Sequence, residues 1–151
     1  MSTFVLPPAF PIVGLPLVGA FALNLFQQTR VMSARKEAGV KYPTLYVSEA
    51  EANADPKKMK FNCVQRAHGN TIENIPYMLA LFGFLSVFHP KLATIFMSHL
   101  VIGRFSYTIG YSSGNPLGRM SLIYKSSYLS LFGLFLTSAY VAVVKSIEIL
   151  L

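Results

Sequence analysis

Four long apolar stretches alternate with polar segments along this chain, at approximately residues 4–28, 62–88, 92–111 and 119–147. Each stretch is close to the about 20 residues that an α-helix needs to cross the hydrocarbon layer of a bilayer. Turn residues separate the later ones, namely His89-Pro90 and the run from Ser112 to Pro116. The pattern predicts an all-α fold, an integral membrane four-helix bundle that forms a single domain over residues 1–151.

Composition favours lipid over water as the solvent of these segments. Of the 151 residues, 53% are hydrophobic and 13% are charged, and the mean hydropathy is +0.49. A soluble domain of this length does not hide so much apolar surface in one core. The first stretch lacks the basic start of a cleaved signal peptide, since no Lys or Arg precedes Arg30, so it is interpreted as a membrane span.

The basic residues predict how the bundle is oriented. Seven Lys and Arg residues lie in the loop at about residues 30–60, whereas the turn between the second and third spans offers only Lys91. The positive-inside rule places the long loop in the cytosol and both termini on the other side. The net charge of +7 flanks membrane spans rather than interleaving with exposed aromatics, so nucleic acid is not the expected partner.

The cysteine and histidine residues argue against a disulfide and a metal site. Cys63 is the only cysteine, and it is interpreted as a packing residue, with a thiol sensor or modification site as the alternative. The three histidines, His68, His89 and His99, lack a ligand spacing, and there is no Cys-x-x-Cys pair. No metal is expected.

A polar stripe opens the second span. At about 100° per residue, Asn62, Arg66, Asn70 and Glu73 fall within a sector of about 80°. Ionisable side chains near a membrane are costly unless they are paired or hydrated, so such a stripe is turned into a bundle or a polar cavity. The alternative is that Arg66 and Glu73 form an internal brace that only holds helices together.

A second stripe lies on the third span, where Arg104, Tyr107 and Tyr111 are three and four residues apart. Cations outnumber acids at the cytosolic end, where Glu73 is accompanied by Arg35, Lys36, Arg66, Arg104, Arg119 and Lys125. This excess suits a small anion with more than one carboxylate, held partly by tyrosine hydroxyls. The two stripes predict a binding pocket at the membrane edge.

The run FNCVQRAHGNTIE, residues 61–73, resembles the signature of the MAPEG family, the membrane-associated proteins of eicosanoid and glutathione metabolism. The likeness is to the type 3 branch of microsomal glutathione transferases. Further matching segments are Ser33-Ala34-Arg35-Lys36, Lys41-Tyr42-Pro43, His89-Pro90, Ile102-Gly103-Arg104, Gly110-Tyr111 and Gly114-Asn115-Pro116 with Arg119. The resemblance covers roughly residues 20–140.

The resemblance implies a homotrimer of four-helix subunits with glutathione bound between neighbouring subunits at the cytosolic side. Arg66, Asn70 and Glu73 would hold the peptide, and Arg35 and His68 would reach it from the adjacent subunit. Tyr107 and Tyr111 would line the same site, and we include Arg104 because it shares their stripe. Asn74 departs from the tyrosine that some relatives place after the glutamate.

The resemblance also implies a catalytic residue. Arg119 matches the arginine that faces the glutathione sulfur, and a fixed positive charge there favours the thiolate, which is the nucleophile. The binding residues would point that sulfur at the bilayer. The polar start of the second span would then connect a binding site for a water-soluble co-substrate to the lipid bilayer, in which the apolar co-substrate dissolves.

The function expected from the sequence is that of a glutathione transferase or peroxidase acting on lipophilic electrophiles or lipid hydroperoxides, with leukotriene C4 synthase-like conjugation among its activities. The alternatives within the family are a non-catalytic lipid-presenting protein and a prostaglandin E synthase-like isomerase. Outside it, a small channel or transporter would place polar residues through the full membrane depth. The expected location is the endoplasmic reticulum membrane, with the outer mitochondrial membrane as the alternative.

Overall fold

A computed structural model describes residues 5–151, and all regular structure in that range is helical. The helices are α1 (Gly14–Glu37), α2 (Glu49–Ala54), α3 (Pro56–Phe88), α4 (Pro90–Tyr111) and α5 (Leu122–Leu150), with 3₁₀ turns at Phe10–Val13 and Pro116–Arg119. The predicted all-α class is confirmed. Helix α2 is a short addition on the loop between the first two long helices.

The four long helices are the membrane-spanning part of the protein. Helix α1 with its preceding 3₁₀ turn, α3, α4 and α5 are each long and apolar enough to cross a bilayer. Large apolar side chains face outward from the bundle, among them Leu122, Leu129 and Val18, which are 82%, 76% and 70% exposed. Such faces are unfavourable in water and favourable in lipid. The chain is therefore an integral membrane protein.

Helices α1 and α3 are longer than their apolar stretches. The predicted first span, 4–28, begins at Phe4, which lies outside the described residues, and α1 continues to Glu37 through a polar segment of good helix formers. Helix α3 starts at Pro56 rather than near residue 62, and its 33 residues measure about 50 Å against a hydrocarbon layer of about 30 Å. Both helices thus carry polar turns beyond the lipid, and the predicted loop at 30–60 is largely helical.

Side-chain caps set where three of the helices begin. Ser48 forms a capping box with Glu51 at α2, and Asp55 accepts a hydrogen bond from the Lys57 N–H at α3. At α5 the Ser121 hydroxyl accepts from the Tyr124 N–H at 3.1 Å. Arg119 was expected to begin this helix, but it lies in the 3₁₀ turn before the Ser121 cap.

The bundle core changes character along its length. In one half it is apolar and includes Phe82, Leu85, Met97 and Leu134, each at most 1% exposed. In the other half the buried Gln27 of α1 donates hydrogen bonds to the hydroxyls of Thr71 in α3 and Thr108 in α4, both at 2.8 Å. These bonds fix the positions of α1, α3 and α4 relative to one another along the bundle axis. They do so at the level of Asn70 on α3 and Tyr107 on α4.

The connection between α4 and α5 folds back onto the last turn of α4. Gly110 and Gly118 approach so closely that a Cβ on either residue would overlap the carbonyl of the other. Two glycines therefore permit this contact, and a side chain at either position would push the segment away. The fold-back brings Arg119 against the end of α4.

Candidate functional site

The two polar stripes meet at a hydrogen bond between α3 and α4. Arg104 is buried, with 9% of its surface exposed, and its Nη1 donates to Asn70 Oδ1 at 2.6 Å. The guanidinium also lies over the rings of Tyr107 and Tyr124, 5.7 and 5.8 Å from their centroids. Cation–π contact and an amide acceptor hold the charge in place without neutralising it.

Four tyrosines form a packed aromatic row beside Arg104. The Tyr107 ring meets the Tyr111 ring edge-on at a centroid distance of 5.5 Å and the Tyr124 ring at 4.6 Å. The Tyr124 and Tyr128 hydroxyls are 2.7 Å apart and hydrogen-bonded. Tyr107 and Tyr124 are buried whereas Tyr128 is 43% exposed, so the row runs from the interior to the outer face of α5.

Arg119 joins this row at its other end. Its guanidinium carbon lies 5.2 Å from the centroid of the Tyr111 ring, and Nη1 donates to the Pro116 carbonyl. The turn and the fold-back on Gly110 therefore direct the side chain toward α4 rather than leaving it extended in water. The arrangement places a permanently charged group next to the tyrosine row.

Arg66 and Glu73 form a two-point ion pair along the outer face of α3. Arg66 Nη1 donates to Glu73 Oε1 at 2.7 Å, and Nη2 donates to Oε2 at 3.2 Å. The two side chains are 45% and 54% exposed, so the pair crosses no helix interface in this subunit. Asn70 lies between them on the same face, since it follows Arg66 by four residues and precedes Glu73 by three.

Two arginines lie over the tyrosine row. The Arg104 guanidinium carbon is 5.7 Å from the centroid of the Tyr107 ring, and that of Arg119 is 5.2 Å from the centroid of the Tyr111 ring. Of the three arginines Arg66, Arg104 and Arg119, Arg66 alone takes part in an ion pair among those found in residues 5–151. The cluster therefore carries an excess of positive charge that a multiply charged anion would neutralise.

Arg35 and His68 lie apart from this cluster within the subunit. Arg35 is 8% exposed, donates to the Thr44 carbonyl at 2.8 Å, and stacks on the ring of Tyr42 at 4.3 Å. His68 faces α1, where its Nε2 is 3.5 Å from Asn24 Nδ2. The expected contacts of these two residues with a ligand in a neighbouring subunit remain predictions.

Several residues of the site were not found by sequence reasoning. Tyr124 and Tyr128 could have been found from their spacing, because they follow Ser121 at intervals of three and four residues, which places all three on one face of α5. Gln27 carries no such signal, since a single amide in an apolar helix does not show which partners it meets. Asn74 donates through Nδ2 to the Asn70 carbonyl at 2.7 Å, within its own helix.

Comparison with known protein families decides to which family the chain belongs. The sequence model of the MAPEG family matches residues 13–140, which includes α1, α3 and α4, the larger part of α5, and the whole arginine and tyrosine cluster. The chain belongs to the MAPEG family. This confirms the family named from the sequence, and it agrees with the four membrane-spanning helices of the fold.

MAPEG membership narrows the range of functions. The family includes glutathione transferases, glutathione peroxidases and related isomerases, and some members are non-catalytic. Glutathione and lipid substrates are the ligands that the family suggests. The cluster on α3, α4 and the turn before α5 supplies the cations that a peptide dicarboxylate would need, at one end of an apolar bundle.

Proposed function

We propose that this MAPEG protein is a membrane-bound glutathione transferase and peroxidase of the type 3 branch. Its second substrates are lipophilic electrophiles, or lipid hydroperoxides, that dissolve in the bilayer. Glutathione binds at Arg66, Asn70, Glu73 and Arg104, beside the tyrosine row. Arg119 faces the sulfur and is the catalytic residue.

One observation supports this proposal most strongly, namely that Arg104 and Arg119 lie over two tyrosine rings, Tyr107 and Tyr111, that pack against each other. A residue that merely anchors a helix end in the lipid headgroups extends into water. Arg119 instead stacks on Tyr111, and Arg104 is buried against Asn70. Two cations without acidic partners, next to an exposed Arg66–Glu73 pair, fit a ligand with two carboxylates and one amino group.

The chemistry follows from the charge of the site. Glutathione is mostly a thiol at neutral pH, and a nearby guanidinium lowers the pKa of that thiol by favouring its thiolate. The thiolate then attacks the electrophilic carbon, and a C–S bond forms as the leaving group departs or the adduct takes up a proton. With a hydroperoxide the thiolate attacks the terminal oxygen, so that an S–O bond forms as the O–O bond breaks, and the lipid alkoxide takes up a proton and leaves as the alcohol. A second glutathione thiol then attacks the sulfur of the resulting sulfenic acid, which gives glutathione disulfide and water.

The proposed assembly is a homotrimer in the endoplasmic reticulum membrane with the site facing the cytosol. Within one subunit the Arg66–Glu73 pair is half exposed and Arg35 and His68 face away from it, so a neighbouring subunit would have to complete the enclosure. The seven basic residues between Arg30 and Lys60 support the cytosolic orientation of this end.

The test uses the full chain purified in detergent. Glutathione binding is measured by calorimetry, and turnover is measured with a model aromatic electrophile and with a fatty-acid hydroperoxide. We expect saturable binding and activity with at least one of the two second substrates. Binding without turnover of either would favour the non-catalytic alternative, and the absence of binding would overturn the proposed function.

A further inference from the structure

The loop between α1 and α2 is fastened to the helices at two points. At the first point, Arg35 Nη1 in α1 donates to the carbonyl of Thr44 in the loop at 2.8 Å. Near its end, both polar atoms of the Asn62 side chain bond the backbone of Val47, with each distance 3.0 Å. Immediately after Val47 the Ser48–Glu51 capping box starts α2. Residues 44–47 therefore have a fixed position against α3.

This fastening places the Tyr46 side chain on the polar face of α3. A Cβ built on Gly69 would lie only 3.3 Å from the Tyr46 hydroxyl oxygen, so the hydroxyl lies directly over this glycine. Gly69 is three residues after Arg66 and four before Glu73, so the three share one helical face. The glycine beneath the Tyr46 hydroxyl is therefore one helical turn from Arg66.

The environment of Tyr46 is that of a ligand-contacting side chain rather than a packing one. The residue is 42% exposed, so burial of its ring does not explain its position. Its hydroxyl end is the part that meets α3, at the one position of that face which has no side chain. A phenol can donate one hydrogen bond and accept others, and a carboxylate beside an arginine retains free lone pairs for such a donor.

We propose that Tyr46 is a glutathione-binding residue, whose hydroxyl donates to the same ligand carboxylate that Arg66 holds. The inference rests on the proposed function and adds to it a contact from outside the four-helix bundle. The carboxylate would replace Glu73 as the partner of Arg66 and would accept from three donors, two on the guanidinium and one on the phenol. The absence of a side chain at Gly69 leaves the room that the phenol needs.

The experiment measures the Kd of glutathione for Tyr46→Phe, which removes the hydroxyl and keeps the ring. A hydrogen bond to a charged group contributes enough that we expect Kd to rise about tenfold or more, with kcat at saturating glutathione unchanged because Arg119 is untouched. Gly69→Ala should weaken binding in the same direction but by less, since its methyl group would push the hydroxyl by a few tenths of an ångström. Tyr42→Phe is the matched control and should leave Kd unchanged, because it also removes one phenol hydroxyl from this loop and keeps the ring that stacks on Arg35.

A double substitution identifies the shared carboxylate. In an Arg66→Ala background, Tyr46→Phe should add much less than its single effect, because the ligand group that both side chains hold is already released. Wild-type binding with an unchanged Kd in Tyr46→Phe would overturn the inference and leave the proposed function standing. Fully additive losses would overturn the shared contact, and no binding by the wild type would overturn both proposals.

Discussion

The Arg104 guanidinium donates to the Asn70 amide oxygen at 2.6 Å, and this bond joins the polar faces of α3 and α4. The two stripes were separate patterns in the sequence. Their contact makes one site, since Asn70 also lies between Arg66 and Glu73 and Arg104 lies against the tyrosine row. An arginine whose partner is an uncharged amide keeps its full charge for a ligand.

The first prediction separates ligand binding from bracing by Arg66. Its ion pair with Glu73 is exposed along one helix, and exposed pairs contribute only about 0–1 kcal/mol to stability. Arg66→Ala should therefore lower the melting temperature very little while the Kd of glutathione rises at least about tenfold, which is about 1.4 kcal/mol. Calorimetric binding and thermal unfolding are measured on the same detergent preparation.

The control for this prediction is Lys145→Ala. Lys145 and Glu148 form a pair of similar exposure, 48% and 54%, on α5 near the opposite end of the chain. Its loss should change neither the Kd nor the melting temperature appreciably. A large fall in stability with unchanged affinity in Arg66→Ala would show that the pair is a brace.

The second prediction concerns orientation in the membrane. Single cysteines replace the exposed residues Ala50, in α2, and Lys91, in the first turn of α4, in a background without Cys63. The basic loop should be cytosolic, so a membrane-impermeant maleimide should label the two positions from opposite sides of sealed vesicles. Labelling of both from one side would contradict the proposed topology.

The third prediction is a trimer. The half-exposed Arg66–Glu73 pair and the separate positions of Arg35 and His68 leave the site open in a single subunit. Native mass spectrometry in a mild detergent should show three chains, with up to three bound glutathione molecules. A monomer that binds glutathione with the affinity of the membrane-embedded protein would contradict a shared site.

The fourth prediction follows from the acid that anchors α2. The Lys58 ammonium and then the Ser48 hydroxyl and N–H hydrogen-bond the Glu51 carboxylate and lower its pKa from 4.5 to about 2. A lowered pKa means that the anchoring is complete above pH 4.5 and is lost as the pH falls toward 2. A spin label at Ala50 should become mobile over that range.

Two variants on α2 serve to check this assignment. Glu51→Gln should abolish the pH transition of the label at Ala50, because the amide can still cap the helix but does not titrate. Glu49→Gln removes a neighbouring acid that is exposed at the start of the same helix and should leave the transition unchanged. A transition that persists in Glu51→Gln would assign it to another group.

Much of the fold was predictable because each long helix carries its own apolar pattern. The contacts between elements were not, since spacing along a helix does not show which side chain a neighbouring helix presents. Arg104 and Asn70 illustrate this, because each was placed on a stripe and only the packing of α3 on α4 pairs them. The position of Tyr46 could not be predicted either, because a loop residue has no periodicity. That position depends on hydrogen bonds from Arg35 and Asn62 to the loop backbone.

The most direct test of the central claim is the ionisation of bound glutathione in Arg119→Ala. The variant should still bind glutathione, since Arg66, Asn70 and Arg104 remain. Removal of a charge beside the sulfur should raise the apparent pKa of the bound thiol by about one to two pH units. Turnover should fall near neutral pH and recover as the pH rises, and Arg119→Lys should restore part of the effect by charge alone.

The measurement is the ultraviolet difference spectrum of bound thiolate, titrated from acid to alkaline pH, for the wild type, Arg119→Ala and Lys125→Ala. Lys125 is a nearby exposed cation in the first turn of α5, so it controls for the loss of one charge. We expect a thiolate signal near pH 7 in the wild type and in Lys125→Ala, and its displacement to higher pH in Arg119→Ala. The same titration curve for all three proteins would contradict activation of the sulfur by Arg119.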